Sequence, residues 1–193
     1  SDNLFFEKYS NIKNIFVVGN FQNEKYFENY KKEILKTLKF DNDKSFNFFN
    51  KYKSLDIENT VALGIRIFEE APTKNLNKLG GIENVDFYNN SINYYKKKLK
   101  DPTFVIFSTT KNQLIENLDI SKDKFIPINN SNSALSAQEK IILMSKFRHF
   151  IISNSTFYWW AAYISEINNG KIDIISSKNF VNPETVPMRW KKI

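Results

Sequence analysis

The chain has 193 residues, 41% of them hydrophobic and 16% aromatic, which suits one medium domain with a bulky core. It has no cysteine and a single histidine, so disulfides and thiolate metal sites are excluded, and a transition-metal catalytic centre would have to be nearly all carboxylate. The net charge of +7 favours a phosphorylated or polyanionic partner or an acidic membrane surface, although AT-rich codon usage supplies lysine by itself. No apolar run approaches the roughly 20 residues that span a bilayer, and no signal peptide is visible. A cytoplasmic protein is expected, with peripheral contact at the inner face of the membrane compatible with its charge. The opening SDNLFFEKYS does not resemble a translation start and is expected to continue from a longer protein.

In chain order, NIFVVGNF (Asn14 to Phe21) predicts a short buried strand ending in a turn. Residues 23–40 carry Tyr26, Phe27, Tyr30, Ile34, Leu35 and Leu38 at helical spacing, with Lys and Glu opposite, and predict a helix. Residues 40–58 read as a connector with room for a short helix. TVALGIRIF (Thr60 to Phe68) is a continuous β-prone run, as a central parallel strand requires. A loop covers 71–84. From Asp86, taken as an acidic N-cap, Phe87, Tyr88, Ile92, Tyr95 and Leu99 predict a helix. A second buried strand follows at Thr103 to Ser108, a short helix near 111–118, and a short strand at Lys124 to Ile128. Ser136 to Glu139 forms a capping box before KIILMSKF. HFIIS (149–153) is a third strong strand, STFYWWAAYISEI (155–167) a helix, and Lys171 to Ser176 a last strand.

Strand and helix alternate from residue 60 onward, which predicts an α/β fold with a Rossmann-like parallel sheet. The reading divides the chain into an N-terminal segment and connector, 1–58, and a ligand-binding α/β domain, 59–193. Ligands of such sheets lie at the carboxyl ends of the strands. Three places therefore matter: Arg66 to Glu70, Ser108 to Thr110, and Asn154 to Thr156.

Asn154-Ser155-Thr156 turns a buried strand into a helix. Such residues cap helices, because their oxygens accept orphan N–H groups. The same corner also suits a phosphate, which a helix N-terminus attracts. Arg66 stands in an otherwise apolar run and needs an anionic partner. Glu69 or Glu70 would neutralise it, or a diphosphate would, held two oxygens at a time by the planar guanidinium. Gly64 allows a close approach. There is neither a G-x-G-x-x-G nor a Walker A loop. Phe157, Tyr158, Trp159 and Trp160 fill one helical turn and read as core. His149 begins a strand and reads as packed or capping, not as a base.

The stretch LMSKFRHFIISNSTFYWWAAYIS (143–165) resembles the closing signature of the family 11 glycosyltransferases, the α-1,2-fucosyltransferases. Their version runs approximately L-M-S, a Cys-Lys-His-like triplet, an apolar strand, then N-S-T-F-S-W-W-A-A. GNFQNEKYF is similar to their G-Y-F-Q-S-E-K-Y-F, FVIFS to the strand ending in F-S-D-D, and VPMRWKKI to their W-x-x-I ending. The likeness covers nearly the whole chain and lacks the family's opening G-R-L-G-N-Q-like segment. It implies the donor-binding lobe of a GT-B-like enzyme that transfers fucose from GDP-fucose, with inversion and without a metal, to a galactose-type hydroxyl in surface glycan or O-antigen synthesis. Arg66 matches the first arginine of H-x-R-R-G-D at the donor diphosphate. Asn154, Ser155 and Thr156 match N-S-T, also at the donor, and Ser108 matches the serine of F-S-D-D. Glu69 stands at the aspartate of the first motif; it or Glu70 is the candidate base, with a residue of the absent N-terminal part or the donor phosphate itself as the alternatives.

The chain departs from the family pattern at Gly64 (His), Ile67 (the second Arg), Phe68 (Gly), and Thr109 and Thr110 (both aspartates of F-S-D-D). A degenerate lobe that binds nucleotide sugar or carbohydrate without catalysis is the alternative. Nucleic acid is not an expected partner, since only the charge points to it.

Overall fold

The computed structural model describes residues 11–14, 16, 18, 22–37, 45–67, 81–110, 113–129, 135–180 and 182–193. Its helices are α1 (Lys31–Thr37), α2 (Ser45–Lys51), α3 (Val85–Lys98), α4 (Gln113–Glu116), α5 (Ala137–Met144) and α6 (Thr156–Asn169). Its strands are β1 (Thr60–Gly64), β2 (Thr103–Phe107), β3 (Phe125–Ile128), β4 (His149–Ile152), β5 (Asp173–Ser176) and β6 (Lys191–Lys192).

All six strands pair in parallel, in the order β3-β2-β1-β4-β5-β6. That is the order of doubly wound dinucleotide-binding sheets. The chain leaves β1, builds outward through β2 and β3, then returns to β1's other side with β4. The order therefore reverses between β1 and β4, and it is at the carboxyl ends beside such a switch point that sheets of this kind form their ligand crevice. The expected α/β, Rossmann-like architecture is the observed one.

Side chains alternate across the sheet, as a pleat demands. Val61, Leu63, Phe104, Ile106, Ile151 and Ile175 face one way, onto Phe87, Tyr88, Ile92 and Tyr95 of α3. Ala62, Val105, Phe107, Phe150, Ile152 and Ile174 face the other, onto Leu143 and Met144 of α5 and Trp159, Ala162 and Tyr163 of α6. Phe27 and Phe48 reach this second core from upstream. Trp159 is fully buried, stacks on Tyr163 at 4.8 Å between centroids and donates its indole N–H to the Thr185 carbonyl. Trp160 is only half-buried and stacks on Phe27 at 5.1 Å.

Several expectations change. Phe16 and Val18, the described apolar members of the run 14–21, belong to no strand and are 93% and 88% exposed. An apolar run becomes a buried strand only where a sheet edge receives it. Residues 23–40 do not form one helix. Two 3-10 turns, Glu24–Tyr26 and Glu28–Tyr30, precede α1, and the tighter winding leaves Phe27 buried while Tyr26 and Tyr30 face solvent. The N-cap of α3 is Asn84, whose side chain accepts from the Phe87 N–H, so Asp86 lies inside the helix's first turn. The capping box at Ser136 and Glu139 is present in both directions. Among the described residues no helix is long and apolar enough to cross a membrane.

Candidate active site at the strand switch point

The register sets the strand ends level. Gly64 lies opposite Phe107 on one side and Ile152 on the other. One further ladder bond extends each strand: Ile65 N–H to Phe107 O at 2.9 Å, Ser153 N–H to Gly64 O at 3.3 Å, and Ser177 N–H to Ile152 O at 3.0 Å. Arg66 is the second residue beyond β1 and is half-buried. Asn154, Ser155 and Thr156 are the second to fourth beyond β4. Residues 88 to 90 positions apart in sequence thus follow the ends of two neighbouring strands, because β1 and β4 pair directly.

The corner is not a conventional cap. Ser155 holds the N-cap position with extended backbone, φ −153° and ψ 127°, yet its side chain accepts no first-turn N–H. The Thr156 hydroxyl donates to the Gln22 side-chain carbonyl at 3.1 Å, which ties the corner to the upstream segment. The capping reading of Ser155 therefore fails, and a helix N-terminus remains at the switch point, where its dipole favours an anion.

Ser108 follows β2, one strand away from the switch. It is buried, and its hydroxyl donates to the Thr110 carbonyl at 3.2 Å, inside its own turn. Glu69 and Glu70 lie outside the described residues.

Gly64 has an evident physical reason. A Cβ there would sit 2.4 Å from Cγ of Tyr158 and 2.7 Å from both Cδ atoms, so the ring lies flat against the glycine. The Tyr158 hydroxyl lies 2.9 Å from both the Ile65 and Phe107 carbonyls and donates to one at a time. Where the family signature described above has His and Ser, this chain has Gly64 and Tyr158. The phenol ring of Tyr158 fills the space over residue 64.

Sequence reading missed a buried polar group behind the crevice. The Ser153 hydroxyl donates to Gly64 O at 3.1 Å and accepts from the Arg66 N–H at 2.9 Å. Glu83 is the one acidic side chain buried among the described residues. It accepts from the Ser177 hydroxyl, which in turn accepts from the Asn179 N–H at 2.8 Å. Tyr88 is fully buried, and burial, with the Glu83 charge adding to it, pushes its hydroxyl far above the ordinary phenol range. It stays protonated at any working pH. His149 sits at the opposite, amino end of β4, against the Glu58 carbonyl at 3.0 Å, and burial lowers its pKa. It takes no part in the crevice.

The family model for glycosyl transferase family 11 matches residues 4–186. An Escherichia coli protein named O-antigen biosynthesis glycosyltransferase WbnK is 28% identical over 149 residues, which cover 75% of this chain and 49% of that protein. An Escherichia coli alpha-1,2-colitosyltransferase is 27% identical over 190 residues, covering 91% of this chain and 61% of that protein. The chain thus spans about half to three-fifths of the length of these curated relatives. Among solved structures, a family 9 glycosyl transferase from Veillonella parvula DSM 2008 superposes with a TM-score of 0.49 at 10% identity, over 77% of this chain and 39% of that one.

Proposed function

The chain belongs to glycosyl transferase family 11, and from that premise we propose that it is the donor-binding part of an inverting α-1,2-fucosyltransferase. In this reading it forms one lobe of a GT-B enzyme that takes fucose from GDP-fucose, needs no metal, and delivers the sugar to a galactose-type hydroxyl of a surface glycan such as O-antigen. The observation that carries it is the meeting, at one switch point, of Arg66 beyond β1 and the Asn154–Thr156 corner beyond β4.

The chemistry asks for charge at the leaving diphosphate. The acceptor oxygen attacks the anomeric carbon on the face away from the diphosphate, a new C–O bond forms, and the bond from that carbon to the phosphate oxygen breaks. Negative charge grows on the departing GDP. Arg66 meets it with a planar pair of donors, and the N-terminus of α6 adds aligned N–H dipoles. The hydroxyl's proton passes to a carboxylate, for which we assign Glu69. Ser108 acts from β2 as a wall of the site, its hydroxyl committed to its own turn. The enzyme works in the cytoplasm, its basic surface suiting loose contact with an anionic membrane face.

Transfer assays on the full-length protein test this. The panel pairs GDP-fucose, other GDP-linked deoxysugars and UDP-galactose with a β-galactoside acceptor, in chelator and in magnesium. The reading predicts GDP release and an α-1,2-linked product from GDP-fucose in both buffers. Binding without turnover would leave the non-catalytic lobe as the function. Turnover with a different GDP-sugar would replace fucose as the donor sugar.

A further inference from the structure

Arg66 faces a placement problem. The β1–β2 ladder ends at the Ile65 N–H, so the sheet supplies no carbonyl to the Arg66 N–H. A guanidinium that must grip a diphosphate loses much of its value when its backbone wanders by an ångström.

Ser153 supplies the missing partner. It is 2% exposed, too buried to touch a ligand. Its hydroxyl accepts the Arg66 N–H and donates to Gly64 O, and its own N–H donates to that same oxygen. One residue therefore grips the backbone on both sides of Ile65. Tyr158 takes the Ile65 carbonyl between them. The buried Tyr88 hydroxyl lies beside both Ser153 and the Arg66 backbone, without a hydrogen bond of good geometry. Ser153 also opens the loop to Asn154, so the residue that sets Arg66 also begins the corner opposite it.

We propose that Ser153 is a positioning residue for the donor site: its hydroxyl fixes the backbone of Arg66 relative to the α6 N-terminus, so that both act on one diphosphate. This rests on the reading of Arg66 as the diphosphate contact. Threonine retains the hydroxyl, whereas alanine removes both of its bonds, the one from the Arg66 N–H and the one to Gly64 O.

The test is a double-mutant cycle on GDP affinity, measured by calorimetry, with Tm recorded for every protein. Ser153→Ala should weaken GDP binding by roughly 3- to 10-fold, the worth of one net hydrogen bond in a buried setting. Ser153→Thr should stay within about 2-fold of wild type. In an Arg66→Ala background, Ser153→Ala should cost less than about 2-fold, because the group it positions is gone. Should alanine fail to fold, Ser153→Cys takes its place in the cycle, since a thiol is a weak acceptor of similar size. An equal loss in both backgrounds, or no loss in the wild-type background, overturns the inference. If Arg66→Ala weakens GDP and Ser153→Ala does not, only the positioning role falls. If Arg66→Ala leaves GDP affinity unchanged, the diphosphate role falls with it.

Discussion

At position 64 a single Cβ decides the packing. Gly64→Ala would drive a methyl group into the face of Tyr158, a ring whose hydroxyl is anchored at its far end between the Ile65 and Phe107 carbonyls. Overpacking of this kind costs about 1–3 kcal/mol. Chemical denaturation should show that loss, and the same change in a Tyr158→Leu background should cost less. Arg66 makes the complementary prediction. Arg66→Ala should lower GDP affinity by roughly 10- to 100-fold, since a charge-assisted contact is worth about 1.5–3 kcal/mol. Arg66→Lys should recover part of that, as an ammonium lacks the two-pronged geometry. If instead the free protein melts early and its GDP affinity holds, Arg66 serves the fold. Arg66 and the Asn154–Thr156 corner were legible because residue type and strand-end position are both local facts. Ser153, Glu83 and Tyr158 were not. Their partners lie 87, 94 and 93 residues away and become visible only once register is known.

At the scale of elements, local chemistry was readable wherever it was self-contained. The Ser136–Glu139 box needs four residues and formed as read. The strands at 60–64, 103–107, 125–128, 149–152 and 173–176 each lie within a predicted run, because buried parallel strands are continuous apolar segments. Errors arose where a partner decides the outcome. The apolar run at 14–21 carries strand propensity, yet Phe16 and Val18 meet no sheet. β6 carries only Lys191 and Lys192, with no apolar pattern, and exists because Ile175 and Ser176 offer an edge. The start of α3 was placed two residues late because Asn84 and Asp86 are both good caps, and only the hydrogen bond to Phe87 separates them. Ser136→Ala should cost about 1 kcal/mol of stability and leave nucleotide affinity unchanged, since the box satisfies only the first turn of α5. A changed affinity would show that α5 reaches the site.

Across the whole molecule, Arg189 joins segments far apart in the chain. Its guanidinium holds both oxygens of Glu24 at 2.6 and 2.8 Å and both of Glu166 at 2.7 and 2.6 Å, and Trp190 beside it donates to Glu166 at 3.3 Å. The upstream turn, α6 and the chain's last residues are thereby clamped behind the site. The hydrogen bonds from Arg189 hold the Glu24 carboxyl below the ordinary carboxylate value. A carboxylate with a lowered pKa stabilises the fold fully above its unfolded value, and that stabilisation is lost as pH falls through the folded one. Arg189→Ala should therefore lower Tm at neutral pH and flatten the loss of stability on the acid side. Arg189 is nearly half exposed, so screening keeps the neutral-pH effect near the top of the range of about 0.2–1 kcal/mol for surface pairs. Equal acid slopes in the two proteins would show that the clamp is electrostatically idle.

The central claim is that the β1–β4 switch point holds a nucleoside diphosphate by a guanidinium and a helix terminus, without a metal. Thermal shift with GDP, GDP-fucose and UDP, each in chelator and in magnesium, tests it most directly. The account predicts a rise in Tm with GDP and GDP-fucose that is the same in both buffers, and a smaller rise or none with UDP. A rise that appears only with magnesium, or no rise with any of the three, would contradict it.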